Sequence, residues 1–238
     1  MKNVVGLTLK LSGILALAIV SGCGGDHYTI GGIETDKFEQ RCIYKDKNGQ
    51  PKAEEAKTAK EYALIGGSFK GIHIEDNNVD TIFINLEATA LEQGLKVCVY
   101  PLTQENWNLI AANQNLFSLL YIGHGVDGNI TSRKNSKLLK PENLPTFNTP
   151  LLKRVTLVSC EAGRKAKEWQ KLFPKDTEIY SSVDDLEVQA SFRYIMNDIP
   201  TLLLKDLGLD NGQSRNVLSR VTTQVNNGWN PRDYQIKK

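Results

Sequence analysis

LLYIGHG (119–125) and VTLVSCEAG (155–163) carry the decision on the fold. Each is an apolar run of strand length that ends in small residues, and neither alternates with polar residues as a half-wetted strand does. Strands apolar on both sides belong inside a sheet covered by helices. Outward from this pair the pattern repeats. Tyr62, Ala63, Leu64 and Ile65 run into Gly66 and Gly67, and KVCVYPL (96–102) and EIYSSV (178–183) complete five expected strands. Val79, Ile82, Phe83, Leu86, Ala90 and Leu91 recur at helical spacing, after Asn78 as a cap and before Gly94 as a stop. Ala166, Trp169, Leu172 and Phe173 give a second helical stripe. From Glu187 the chain reads as helix broken at Pro200 and Gly208, with a turn over 226–231. The alternation predicts an α/β domain with a mostly parallel central sheet and helices on both faces.

At 238 residues there is room for one such domain or two small ones, and the absence of repeats makes one the economical reading. The segment 1–10 carries Lys2 and Lys10 and no acid, and LSGILALAIV (11–20) is too short to span a bilayer but fits the core of an export signal. Twenty-nine Lys and Arg face 27 Asp and Glu. Without Lys2 and Lys10 the charges balance, which argues against bulk electrostatic binding of nucleic acid. The order Val20-Ser21-Gly22-Cys23 resembles the bacterial lipobox, where small residues precede a cysteine that becomes the lipidated first residue. That resemblance implies a signal peptide over 1–22, acyl chains on Cys23, a tether over 23–58 and a soluble domain over 59–238. An ordinary export signal followed by an incidental cysteine is the alternative. Gly24, rather than an acid after the cysteine, favours the outer membrane of a bacterial cell envelope. Such a compartment is oxidising. With Cys23 set aside, Cys42, Cys98 and Cys160 are an odd number, so Cys42 and Cys98 are open to pairing and Cys160 is expected as a lone thiol.

Ligands of open parallel sheets bind beyond the carboxyl ends of the strands, and His124 and Cys160 stand there. A thiol needs a base or a positive field to act near neutral pH, and an imidazole across a cleft supplies one. Arg164, Lys165 and Lys167 follow the cysteine and favour its thiolate, while Glu161 opposes it. Singly, His124 reads as a surface residue and Cys160 as a small buried hydrophobe. As a pair at two strand ends they read as catalytic. His27 and His73 have no partner at ligand spacing, so neither a metal nor another cofactor is expected. No G-x-S-x-G elbow and no phosphate-binding glycine motif is present.

Strand-His-Gly, then strand-Ser-Cys with a small residue and Gly, resembles the caspase-like cysteine peptidases of clan CD. LVSCEAG (157–163) is similar to the nucleophile motif of CHAT domains, Ser-Ala-Cys-Glu-Thr-Gly, without the residue between serine and cysteine and with Ala162 for the threonine. Ser182-Val183-Asp184-Asp185 resembles the Val-x-Asp run that follows the next strand in that family, with Ser181 where a tryptophan is usual. The resemblance covers roughly 60–200 and implies a three-layer caspase-like fold. It makes His124 the general base and acid and Cys160 the nucleophile. The backbone N–H groups of Gly125 and Cys160 hold the oxyanion, and Asp185 with Asp184 lines a pocket for a basic side chain. The two acids fit a solvated turn and helix cap as well. The function implied is a membrane-anchored cysteine endopeptidase cutting a peptide or protein substrate after Arg or Lys. Its rivals are a caspase-fold lipoprotein that binds a peptide or protein partner without cleaving it, and a structural envelope lipoprotein with a merely buried Cys160. The loop 131–150, rich in Lys, Asn and Pro, is expected as a flexible flank to the cleft and a site of nicking.

Overall fold

Nine strands are described in the computed structural model, which covers residues 40–66, 78–131, 138–186, 191 and 193–236. They are β1 (Arg41–Ile43), β2 (Glu61–Gly66), β3 (Lys96–Pro101), β4 (Leu116–Ile122), β5 (His124–Val126), β6 (Asn129–Thr131), β7 (Leu138–Leu139), β8 (Arg154–Val158) and β9 (Glu178–Ser181). The helices are α1 (Ala53–Ala56), α2 (Asn78–Glu92), α3 (Gln104–Ala111), α4 (Ala166–Gln170), α5 (Ile199–Asp206) and α6 (Asn211–Asn226). The central sheet has the order β1-β3-β2-β4-β8-β9, and β5, β6 and β7 form a small antiparallel sheet beside it. All neighbours in the central sheet are parallel except β1, which runs antiparallel to β3.

Every residue of β2, β4 and β8 is buried, as strands covered on both faces must be. Successive side chains go to opposite faces. Ala63, Ile65, Leu119, Tyr121, Val155 and Leu157 meet Trp107, Ile110 and Trp169 from α3 and α4. Tyr62, Leu64, Leu120, Ile122 and Val158 meet Phe83 and Leu86 of α2 and Ile199 and Leu203 of α5. The expected α/β sheet with helices on both faces is thus present. The last helix, α6, lies outside these layers and packs through Val217 and Val221 on Ala88 and Leu204. Its start is fixed by a capping box, Asp210 accepting from the Gln213 N–H and the Gln213 side chain accepting from the Asp210 N–H.

Several expectations change. The sheet begins before residue 59: β1 lies in the stretch read as tether, and Cys42 sits opposite Cys98 in register with a disulfide between them. A three-residue edge strand has too little pattern to be recognised, but a covalent tie compensates for its few hydrogen bonds. A helix not foreseen, α3, fills the link between β3 and β4; Thr103 caps it by accepting from the Asn106 N–H, and Trp107 and Ile110 form its buried face. The stripe from Ala166 is a helix only to Gln170; Leu172 and Phe173 are buried from the turn that follows. Pro200 does not break the helical run: Tyr194–Asp198 form a π-helical turn that leads directly into α5, whose first turn holds the proline. Gly208, at φ 86°, does separate α5 from α6. The expected flexible flank is corrected over 138–150: Leu139, Leu144 and Phe147 are buried, and Phe147 packs 5.6 Å from Trp107 and 4.7 Å from Phe173, ring to ring. The leader, Cys23, His27 and His73 lie outside the described residues. Among the described residues no helix is long and apolar enough to cross a membrane.

Candidate active site

The parallel pairing of β4 with β8 runs to Ile122 opposite Val158, and the Gly123 N–H continues it to the Val158 carbonyl at 3.2 Å. His124 and Cys160, each two residues beyond that last pair, therefore leave the sheet at the same rim. Both are buried, 9% and 4% exposed. Tyr121, the last inward aromatic of β4, donates its hydroxyl to the His124 carbonyl at 2.8 Å and shares it with the Thr131 carbonyl at 3.0 Å. Burial raises the Tyr121 pKa, which keeps that hydroxyl a donor. It fixes the backbone of the histidine from below.

Gly125 follows for a steric reason. A Cβ there would lie 1.9 Å from the Cys160 carbonyl oxygen, so only glycine lets the histidine segment lie against the cysteine backbone. The chain then turns at Asp127 and Gly128, both with positive φ (48° and 78°), as a two-residue hairpin of the primed type requires. Four contacts from the segment after Cys160 hold this hairpin. The Asp127 N–H donates to Glu161 Oε2 at 2.8 Å, and Trp169 Nε1 donates to the Gly128 carbonyl at 2.9 Å. Lys165 Nζ donates to Asn129 Oδ1 at 2.8 Å and pairs with Glu142 at 3.2 Å. Its methylenes cover Gly128, where a Cβ would come within 2.4 Å of Lys165 Cγ.

The loop after β9 closes the other side. The Gly163 N–H donates to the Ser182 carbonyl at 2.6 Å, the Glu161 N–H to the Asp184 carbonyl at 3.1 Å, and the Leu186 N–H to Cys160 Sγ at 3.4 Å. The structure therefore brings His124, Gly125, Cys160 and the 184–186 segment together. Asp184 and Asp185 are both exposed beside the sulfur-bearing loop. Two of the cations expected to favour a thiolate, Arg164 and Lys165, are committed elsewhere. Arg164 pairs with Glu161 at 2.7 Å and donates to the Val183 carbonyl at 3.2 Å, and Lys165 holds the hairpin. The expectation of an unpaired thiol is also corrected, since Cys160 is disulfide-bonded here and its nucleophilic form is the one reached by reduction.

Sequence reasoning missed Tyr121, Asn129, Glu142 and Trp169 as supports of the site. One signal was available: Asp127-Gly128 after an apolar run is a strong hairpin signature, and it places everything from 124 to 131. Among the described residues no group of three His, Cys, Asp or Glu is placed to hold a metal ion. No family model matches the chain, and no curated protein is similar to it.

Proposed function

We propose that this chain, with Cys160 reduced and Cys23 carrying the lipid, is a cysteine endopeptidase of the caspase-like type, anchored in the bacterial cell envelope and cutting after Arg or Lys. The observation that carries the reading is the contact at the rim. Two neighbouring parallel strands end at the same rim, each two residues before His124 or Cys160, and a glycine is retained where a Cβ would strike the Cys160 carbonyl. The parallel order β3-β2-β4-β8-β9, with a histidine after its third strand and a cysteine after its fourth, supports the caspase-like fold.

In the proposed reaction the reduced Cys160 thiol gives its proton to His124 as Sγ attacks the scissile carbonyl carbon. The backbone N–H groups of Gly125 and Cys160 stabilise the oxyanion. The imidazolium then protonates the leaving amine as the C–N bond breaks, and water, deprotonated by His124, hydrolyses the thioester. Asp185 is exposed and adjoins Leu186, whose N–H meets Cys160 Sγ, which supports a role for its carboxylate in complementing a basic side chain before the scissile bond.

The test is hydrolysis of fluorogenic peptides with Arg, Lys, Asp or Leu before the scissile bond, by the full chain under reducing conditions. Cleavage after Arg and Lys is expected, lost by at least about 1,000-fold in both Cys160→Ala and His124→Ala. Asp185→Ala is expected to weaken the preference for basic residues. A folded, reduced wild type that cleaves none of the peptides overturns the peptidase and leaves a peptide-binding lipoprotein. Anchoring is tested separately by acyl incorporation, which Cys23→Ala is expected to abolish.

A further inference from the structure

Two non-glycine residues among those described adopt the left-handed backbone region, Asp127 at φ 48° and Glu161 at φ 57°, and they are bonded to each other. Such a conformation costs an ordinary residue free energy and persists only where the surroundings fix it. The surroundings of Glu161 do so on three sides. Its Oε2 accepts the Asp127 N–H at 2.8 Å, its Oε1 meets Arg164 Nη2 at 2.7 Å, and its own N–H donates to the Asp184 carbonyl at 3.1 Å. The same Arg164 reaches Asp127 Oδ1 at 3.6 Å and the Val183 carbonyl at 3.2 Å. One residue, directly after Cys160, thus spans the hairpin that carries His124 and Gly125 and the loop that carries Asp184 and Asp185.

We infer that Glu161 is a positioning residue for the reaction proposed above, on which this inference rests: its carboxylate sets the His124–Gly125 hairpin at its working distance from Cys160. It is not a second base. Arg164 and the Asp127 amide already take up both of its oxygens, which also removes the repulsion that a bare carboxylate exerts on a neighbouring thiolate. The backbone bond to Asp184 remains in any variant, whereas the link to the hairpin belongs to the side chain alone. The role therefore predicts a defect in kcat rather than KM, because the oxyanion donor and the imidazole shift while the 182–186 side of the cleft stays.

Glu161→Gly and Glu161→Gln separate the parts. Glycine accepts the left-handed conformation without strain but removes the carboxylate, and glutamine keeps an acceptor oxygen for the Asp127 amide. Relative to wild type, Glu161→Gly is expected to lose about 100-fold in kcat, the scale of a 1 Å misplacement, with KM changed less than about threefold. Glu161→Gln is expected within about tenfold of wild type, and thermal midpoints of all three should agree. Wild-type kcat in Glu161→Gly overturns the inference, as does a loss that glutamine does not restore. A second readout keeps it testable if the peptidase reading fails. The rate at which iodoacetamide alkylates reduced Cys160, located by mass spectrometry, is followed against pH. A shifted profile in Glu161→Gly, restored by glutamine, upholds the positioning role even where wild type cleaves no peptide. Superimposable profiles overturn it.

Discussion

The two ends of the central sheet solve the same problem, polar groups at strand termini, by different chemistry. At the amino end, side chains answer side chains. Lys96 pairs with the buried Glu61 at 2.7 Å, and Tyr100 donates to the same carboxylate at 2.9 Å. Arg154, only 3% exposed, meets Asp206 at 2.6 Å and Glu178 at 2.9 Å. Burial opposes the Arg154 charge, yet hydrogen bonds to Asp206 and Tyr180 hold its pKa above the ordinary arginine value. At the carboxyl end most of the bonds that join the loops have a backbone group on at least one side, with two left-handed residues and two glycines whose Cβ would strike a neighbouring carbonyl. The first arrangement serves stability. The second sets the Leu186 N–H beside the Cys160 sulfur, an arrangement sensitive to small shifts.

Breaking the amino end should therefore cost stability without touching activity. Arg154→Met leaves the Asp206 carboxylate with no cation in a mostly buried site, so urea denaturation is expected to show a loss of about 3 kcal/mol. The proposed peptide cleavage, per folded molecule, should not change, and a matching loss of it would erase the distinction between the ends. At the carboxyl end Gly125→Ala should do the reverse. Displacing the Cys160 carbonyl is expected to cost about 2 kcal/mol in stability and at least about 100-fold in cleavage. Glu178→Gln, whose side chain is 57% exposed, is expected to change stability by no more than about 0.5 kcal/mol, which sharpens the contrast between the two acids facing Arg154.

The smallest effect is one of pH. The pKa of Glu142 is lowered, chiefly by its own backbone N–H and also by Lys165. A carboxyl whose folded pKa is depressed contributes stability above its unfolded value, here near 4.5, and loses it as pH falls through the folded value. Acid should thus loosen the Lys165 tie on the hairpin. Amide exchange over 124–131, corrected for intrinsic rates, is expected to quicken modestly between about pH 6 and pH 3 in wild type and less in Glu142→Gln. Equal pH responses in the two proteins would detach Glu142 from the hairpin.

What was legible in the sequence follows the same division. Strands buried on both faces announce themselves as unbroken apolar runs, and β2, β3, β4 and β8 are found where those runs lie. That also placed His124 and Cys160 at strand ends, because a register of parallel neighbours needs only the runs to be aligned. The supports were not legible. Asn129 in the hairpin, Glu142 and Lys165 lie in three separate stretches of the chain, and no local pattern joins them. Phe147 is a single aromatic in a polar stretch, and its burial depends on Trp107 and Phe173, neither of which is near it in the chain. The left-handed turn of Glu161 leaves no trace in residue type, since a glutamate there is a local exception forced by its three contacts.

The covalent bond between Cys42 and Cys98 has a mechanical side. A pull entering from the amino-terminal direction first loads the three-residue strand β1, whose few hydrogen bonds would peel apart one after another. The disulfide sits at the middle pair of that strand and passes the force directly into β3, a strand bonded along its whole length to β2. The Ile236 N–H, donating to the Cys42 carbonyl at 2.8 Å, shares the same junction. The domain is thus gripped at an interior strand rather than at its edge, and it is built to keep its shape under tension from that side.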